Sequence, residues 1–121
     1  MQKLMMLVLS LCLFAGMTFA AQEAAVLTLR GYIVDNQCAS GQDAAGMEEF
    51  VKNHPKSCAL APACLASGLA IYADHQLMQF DADSTAKVEK FLKQDGSLTF
   101  VEVTVKKSAD KLSLISIKNA Q

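Results

Sequence analysis

The chain has 121 residues, 52% of them hydrophobic, with 11 basic and 12 acidic side chains, a formal net charge of -1 and only 7% aromatic residues. No block of like charge occurs in it, so the dense basic face that non-specific nucleic-acid binding requires is absent, and nucleic acid is not an expected partner. The length is that of one domain, large enough to bury a core.

The chain opens with Lys3 and an apolar run from Leu4 to Ala20. A short positive head, an apolar middle and small residues at the exit describe a secretory signal peptide, with Thr18-Phe19-Ala20 at the cleavage site. Residues 1–20 are therefore read as a signal and 21–121 as the mature domain. A transmembrane anchor fits less well, because Ser10, Cys12, Gly16 and Thr18 dilute the run and no basic flank follows. An exported protein, periplasmic or extracellular, with no stable membrane anchor after signal removal, is the expectation. Of the 4 cysteines, Cys12 would leave with the signal.

From Val26 to Val34, Leu27, Leu29, Gly31 and Ile33 alternate with the remaining residues, the period of a β-strand ended by Asp35-Asn36. Gly31 within it predicts a bulge or sharp bend. A loop rich in small residues follows from Ala39 to Gly46. Met47, Phe50 and Val51 then fall at helical spacing, and the helix should stop at Asn53-His54-Pro55. Pro55 and Pro62 open short turns carrying Cys58 and Cys64, and Gly68 suits a helix exit. Strands return at Ala70-Ile71-Tyr72 and Gln76–Phe80, flanking an Ala73-Asp74-His75 hairpin loop. Asp83 or Ser84 is expected to cap a helix running to Gln94, with Val88, Phe91 and Leu92 as its apolar stripe. Leu98–Lys106 and Leu112–Ile117 complete the strands. In the last of these, Leu112 and Leu114 share one face and Ile115 and Ile117 the other, a phase change that fits a bulge in a curled sheet.

The order strand, insertion, strand, strand, helix, strand, strand is that of an OB-fold. The expected architecture is mainly β: a five-stranded OB-fold-like barrel, one helix between strands 3 and 4, and a cysteine-bearing helical insertion, about residues 36–68, between strands 1 and 2.

The run Gly31-Tyr32-Ile33-Val34-Asp35-Asn36-Gln37-Cys38 resembles the opening of a family of small exported bacterial OB-fold-like domains. Downstream, His54, Cys58, Pro62, Cys64 and Ser67-Gly68, with Phe80-Asp81 closing the next hairpin, continue the resemblance over most of the mature chain. Lys106-Lys107 departs from it where relatives are expected to carry glycine. The resemblance implies export and the barrel; it brings no activity with it.

Cys38, His54, Cys58 and Cys64 are the chemistry-bearing cluster. Three thiolates and an imidazole make one closed tetrahedral zinc set, with His54 and Cys58 four residues apart, and soft thiolates also suit copper(I). Against this, the spacings are wider than those of common zinc modules. An oxidising compartment favours a disulfide, with Cys38–Cys64 tying the insertion together and Cys58 free. Thiol-disulfide exchange is a third reading, without a Cys-x-x-Cys motif to support it. Asp35 reads more simply as a turn residue than as a proton carrier, and Asp81 and Asp83 as turn and cap rather than calcium ligands. His75 falls in an exposed loop. Met47 and Met78 read as core. The expected role is a non-enzymatic binding or structural module of the cell envelope holding zinc or another soft metal. The alternatives are a thiol redox protein and a disulfide-stapled adaptor that binds a protein or glycan on the barrel face.

Overall fold

The computed structural model describes residues 24–121; the proposed signal peptide lies outside the described residues. Five strands, β1 (Ala25–Asp35), β2 (Leu69–Ala73), β3 (Gln76–Phe80), β4 (Phe100–Ser108) and β5 (Lys111–Asn119), form one sheet. It closes on itself in the order β1-β2-β3-β5-β4. Every pairing is antiparallel except β3 with β5, a parallel seam of two residue pairs, Gln79–Lys111 and Phe80–Leu112.

β1 is long because it serves two neighbours. Residues 25–32 pair with β4 and residues 32–35 with β2. The changeover demands a close approach at Gly31, where a Cβ would stand 2.1 Å from the Tyr72 carbonyl oxygen. That steric demand explains a glycine in the middle of an otherwise β-branched and aliphatic strand.

The core follows the inward alternation. Leu29 and Ile33 of β1, Ile71 of β2, Val101, Val103 and Val105 of β4, and Leu112 and Leu114 of β5 fill the ring. In β5 the register slips opposite Thr104 and Val105, leaving Ile115 as the extra residue. The expected bulge is there, but it separates the two isoleucines: Ile117 packs against the core and Ile115 is 53% exposed.

Helix α5 (Ala82–Leu92) joins β3 to β4 and buries Val88 and Leu92. Its cap is Asp81, earlier than the expected Asp83 or Ser84. The Asp81 carboxylate accepts from the Ser84 amide at 2.8 Å and from the Ser113 hydroxyl at 2.5 Å. Ser84 instead lies buried, accepting from the Leu114 amide at 2.7 Å. Asp81 wins because it is the last extended residue before the helix, which is where a cap must sit.

Between β1 and β2 four short helices occur: α1 (Asn36–Ala39), α2 (Met47–Asn53), α3 (Lys56–Ala59) and α4 (Pro62–Ala66). Gly68 exits α4 at φ 87°, and its carbonyl accepts from the Asn36 amide at 3.0 Å. The Asn36 side chain also donates to the Ser67 carbonyl, and the Gln37 amide to the Ser67 hydroxyl. The two ends of the insertion are thus clasped together. Ala39, Met47 and Val51 cover Val34 and Ala70 on the outside of the sheet, a second and smaller apolar cluster. Ala59, Leu60 and Leu65 pack instead on the main core.

Candidate metal centre

The seam between the two apolar clusters is where the polar residues of the insertion meet. Asp35 arrives there by strand periodicity. Leu29, Gly31, Ile33 and Asp35 all point inward, so the last inward position of β1 carries a carboxylate with no solvent exposure. The same residue caps α1, its Oδ2 accepting from the Cys38 amide at 2.9 Å. Capping fixes the carboxylate and, three residues on, the Cys38 thiol beside it.

His54 is delivered from the other side. α2 ends where Pro55 forces extended backbone, and His54 stands at its C-cap with φ -74° and ψ 114°. The imidazole is buried, tilted against the Phe50 ring with centroids 5.0 Å apart. Its Nε2 lies 3.2 Å from Asp35 Oδ1, without the alignment of a hydrogen bond. Asp35 Oδ1 and both His54 nitrogens are consequently buried with no hydrogen-bond partner. One ligand atom each from Asp35, Cys38 and His54 lie within 4.8 Å of one another.

The electrostatics of the thiols follow from this carboxylate. Burial, then hydrogen bonding to Asp35 and its negative charge, then the neighbouring Cys64 thiol, push the Cys38 thiol up to about 11. Burial and then Asp35 raise Cys64 in the same direction. Both are neutral thiols at physiological pH until something supplies positive charge. All three cysteines of the described residues are free.

Of the residues singled out from the sequence, Cys38 and His54 come together. Cys64 stands next to Cys38 and Asp35 but outside the tight trio. Cys58 is exposed and shares with Cys38 and His54 the lining of a cavity of about 570 Å³. His75 is outside the trio, in the β2–β3 turn, with its side chain 82% exposed and Nδ1 4.0 Å from Glu48 of α2. The residue underrated by sequence reasoning is Asp35. Its inward phase in β1 was visible in the alternation; what the turn reading overlooked is that one residue can end a strand, cap a helix and remain buried.

Comparison of the chain with family models, curated proteins and solved structures finds no match. The site's own chemistry is what bears on function.

Proposed function

We propose that the protein is an exported, non-enzymatic binding module of the cell envelope, built on an OB-fold, that holds a zinc ion between Asp35, Cys38 and His54. The carrying observation is the pair of orphaned buried atoms, Asp35 Oδ1 and His54 Nε2, facing each other beside the Cys38 thiol. Buried polar groups are almost always satisfied, and a buried carboxylate without compensation is costly. A cation among the three would satisfy both atoms at once and hold Cys38 as a thiolate.

The donor set chooses the ion. Oxygen, nitrogen and sulfur together suit zinc, whereas copper(I) prefers sulfur alone. Exchanging the two sulfurs of Cys58 and Cys64 for the single Asp35 oxygen therefore moves the reading from copper towards zinc. Cys64, whose thiol lies close enough to Asp35 and Cys38 to be raised by the carboxylate, would stand beside these ligands as a neighbour. Thiol-disulfide exchange is disfavoured at Cys38 and Cys64, because an attacking sulfur needs a lowered pKa and theirs are raised. Strand order β1-β2-β3-β5-β4 with α5 between β3 and β4 supports the OB-fold, and the resemblance of the Gly31–Cys38 and His54–Gly68 motifs to small exported bacterial domains agrees with it. The apolar Leu4–Ala20 run supports export.

Metal analysis and intact mass of the mature protein, under native and denaturing conditions with and without reductant, test the reading. One zinc ion per chain is expected, lost in Asp35→Asn and His54→Ala. Metal-free protein that still takes up no zinc when reduced, or that carries a Cys38–Cys64 bridge as isolated from the envelope, would overturn it.

A further inference from the structure

We infer that the metal centre keeps one coordination position open, and that this position takes a small neutral nitrogen heterocycle of the imidazole class. The inference rests on the zinc reading above and names the ligand of that same site.

The geometry is one-sided. Cys38 and His54 line the cavity of about 570 Å³, whereas Asp35 and Cys64 do not. Asp35 Oδ1 and the His54 nitrogens are buried, so an ion between Asp35, Cys38 and His54 would meet the cavity only on the side of Cys38 and the His54 ring. Cys64 lies outside the trio and is not part of the cavity wall, so it leaves the cavity side of the ion free. Cys58 is on the wall but outside the trio of ligand atoms that lie within 4.8 Å of one another. Structural zinc sites are closed by four protein ligands, and sites that act on exogenous molecules present three and an open position. The arrangement here is three and a cavity.

The cavity also selects. Zinc carries two positive charges, which the Asp35 carboxylate and Cys38 thiolate cancel, with His54 neutral. An incoming anion would make the centre net negative, beside the Glu49 carboxylate on the same wall. In a recess bordered by Phe50 and Pro55, uncompensated charge is poorly tolerated. A neutral donor avoids this cost. A flat one also finds the Phe50 ring, which already packs on His54 and borders the cavity. The cavity far exceeds one imidazole ring in volume, so the heterocycle can belong to a larger molecule, such as a histidine-bearing peptide.

Cobalt(II) replaces zinc in the purified, reduced mature protein, and the visible absorption envelope is followed while imidazole or azide is added. Imidazole should change the envelope saturably with the cobalt retained, and azide should bind at least tenfold more weakly. Gln42→Trp and Asn53→Trp each place bulk at the cavity wall, at residues other than the three ligands. Each should take up cobalt normally and weaken the imidazole response at least tenfold. Cys58→Ser should leave it intact. Failure to bind cobalt at all defeats the zinc reading itself. Cobalt bound with an envelope that imidazole does not alter, or cobalt stripped by imidazole, defeats the open position alone. Azide binding as tightly as imidazole, undiminished imidazole binding in both tryptophan variants, or loss of the response in Cys58→Ser defeats the assigned ligand or its route.

Discussion

The closed sheet and the insertion are held together by different physics. The sheet has long ladders and a core of buried valines, leucines and isoleucines from four strands, joined by Phe80 of β3. The insertion has helices of 4, 7, 4 and 5 residues, each too short to persist alone, and only Ala39, Met47 and Val51 buried in the smaller apolar cluster it forms with the sheet. Its centre is polar and, without a cation, unsatisfied. The sheet can fold on hydrophobic burial, while the insertion relies on its clasp and its small cluster, and, on the reading proposed above, on a bound ion. Each prediction that follows strikes one region and reads out the other.

The largest effect should come from the sheet. Val103 is fully buried at the middle of β4. Val103→Asp places an unpaired charge in the core and should cost about 3–5 kcal/mol. Chemical denaturation followed by circular dichroism should show one cooperative loss of both regions, since the insertion has no frame without the sheet.

Striking the centre should separate them. With zinc present at a hundredfold over its dissociation constant, binding adds about 2.7 kcal/mol to the stability of whatever unfolds with release of the ion. His54→Ala or a chelator should remove that term. Hydrogen exchange should then show residues 36–66 losing protection while the β1–β4 and β4–β5 ladders keep theirs. Equal loss everywhere would mean that the two regions form one cooperative unit.

The metal-free protein should be sensitive to alkali at its raised thiols, with Cys38 contributing alongside Cys64. Cys38 is raised in the fold to about 11 from an ordinary value of 9.0, so folding favours its protonated form. That contribution is complete below about pH 9 and is lost as pH rises towards about 11, and solvent screening at this part-exposed thiol keeps it small. Urea midpoints measured across this range in chelator should fall, and Cys38→Ser should flatten the slope. Zinc should flatten it too, because the ligand is then already a thiolate.

The smallest effect belongs to the β2–β3 turn, which supplies none of the three candidate ligands. Asp74 and His75 both adopt positive φ, 50° and 61°, a conformation that asparagine and glycine take at lower cost. Replacing the pair by Asn-Gly should stabilise the sheet by about 0.5–1 kcal/mol and leave metal affinity unchanged. Thermal melts and zinc titration check the two halves of that statement.

Much of this contrast was legible in the sequence, for physical reasons. Period-two alternation located β1, β4 and β5, and the phase change in β5 announced its bulge. Proline and glycine marked the helix ends of the insertion, at His54-Pro55 and at Gly68. The cap of α5 was misplaced because Asp81, Asp83 and Ser84 are all competent cap residues, and only the end of β3 decides among them. The centre was half legible. Cys38 and His54 stood out by chemical type, but nothing local says that Cys58 faces solvent while Cys64 turns inward, because that depends on how α3 and α4 pack on the end of the sheet. Asp35 was masked by its own ordinariness, since an aspartate after a strand most often serves a turn.

The parallel seam has a consequence for how the ring assembles. β2 with β3, and β4 with β5, are hairpins with tight turns, formed from neighbouring stretches of chain. The contact of Gln79 and Phe80 with Lys111 and Leu112 spans about thirty residues and has only two pairs in it. Non-local pairing pays its loop entropy before it is rewarded, so this junction should be the last to zip during folding and the first to part in local opening. When it parts, β3 and β5 become edges able to recruit a strand from another chain. Lys111 stands at that junction, its ammonium donating to the Gln79 side chain at 2.7 Å. A charge there latches the ring when shut and discourages edge-to-edge association when it is open.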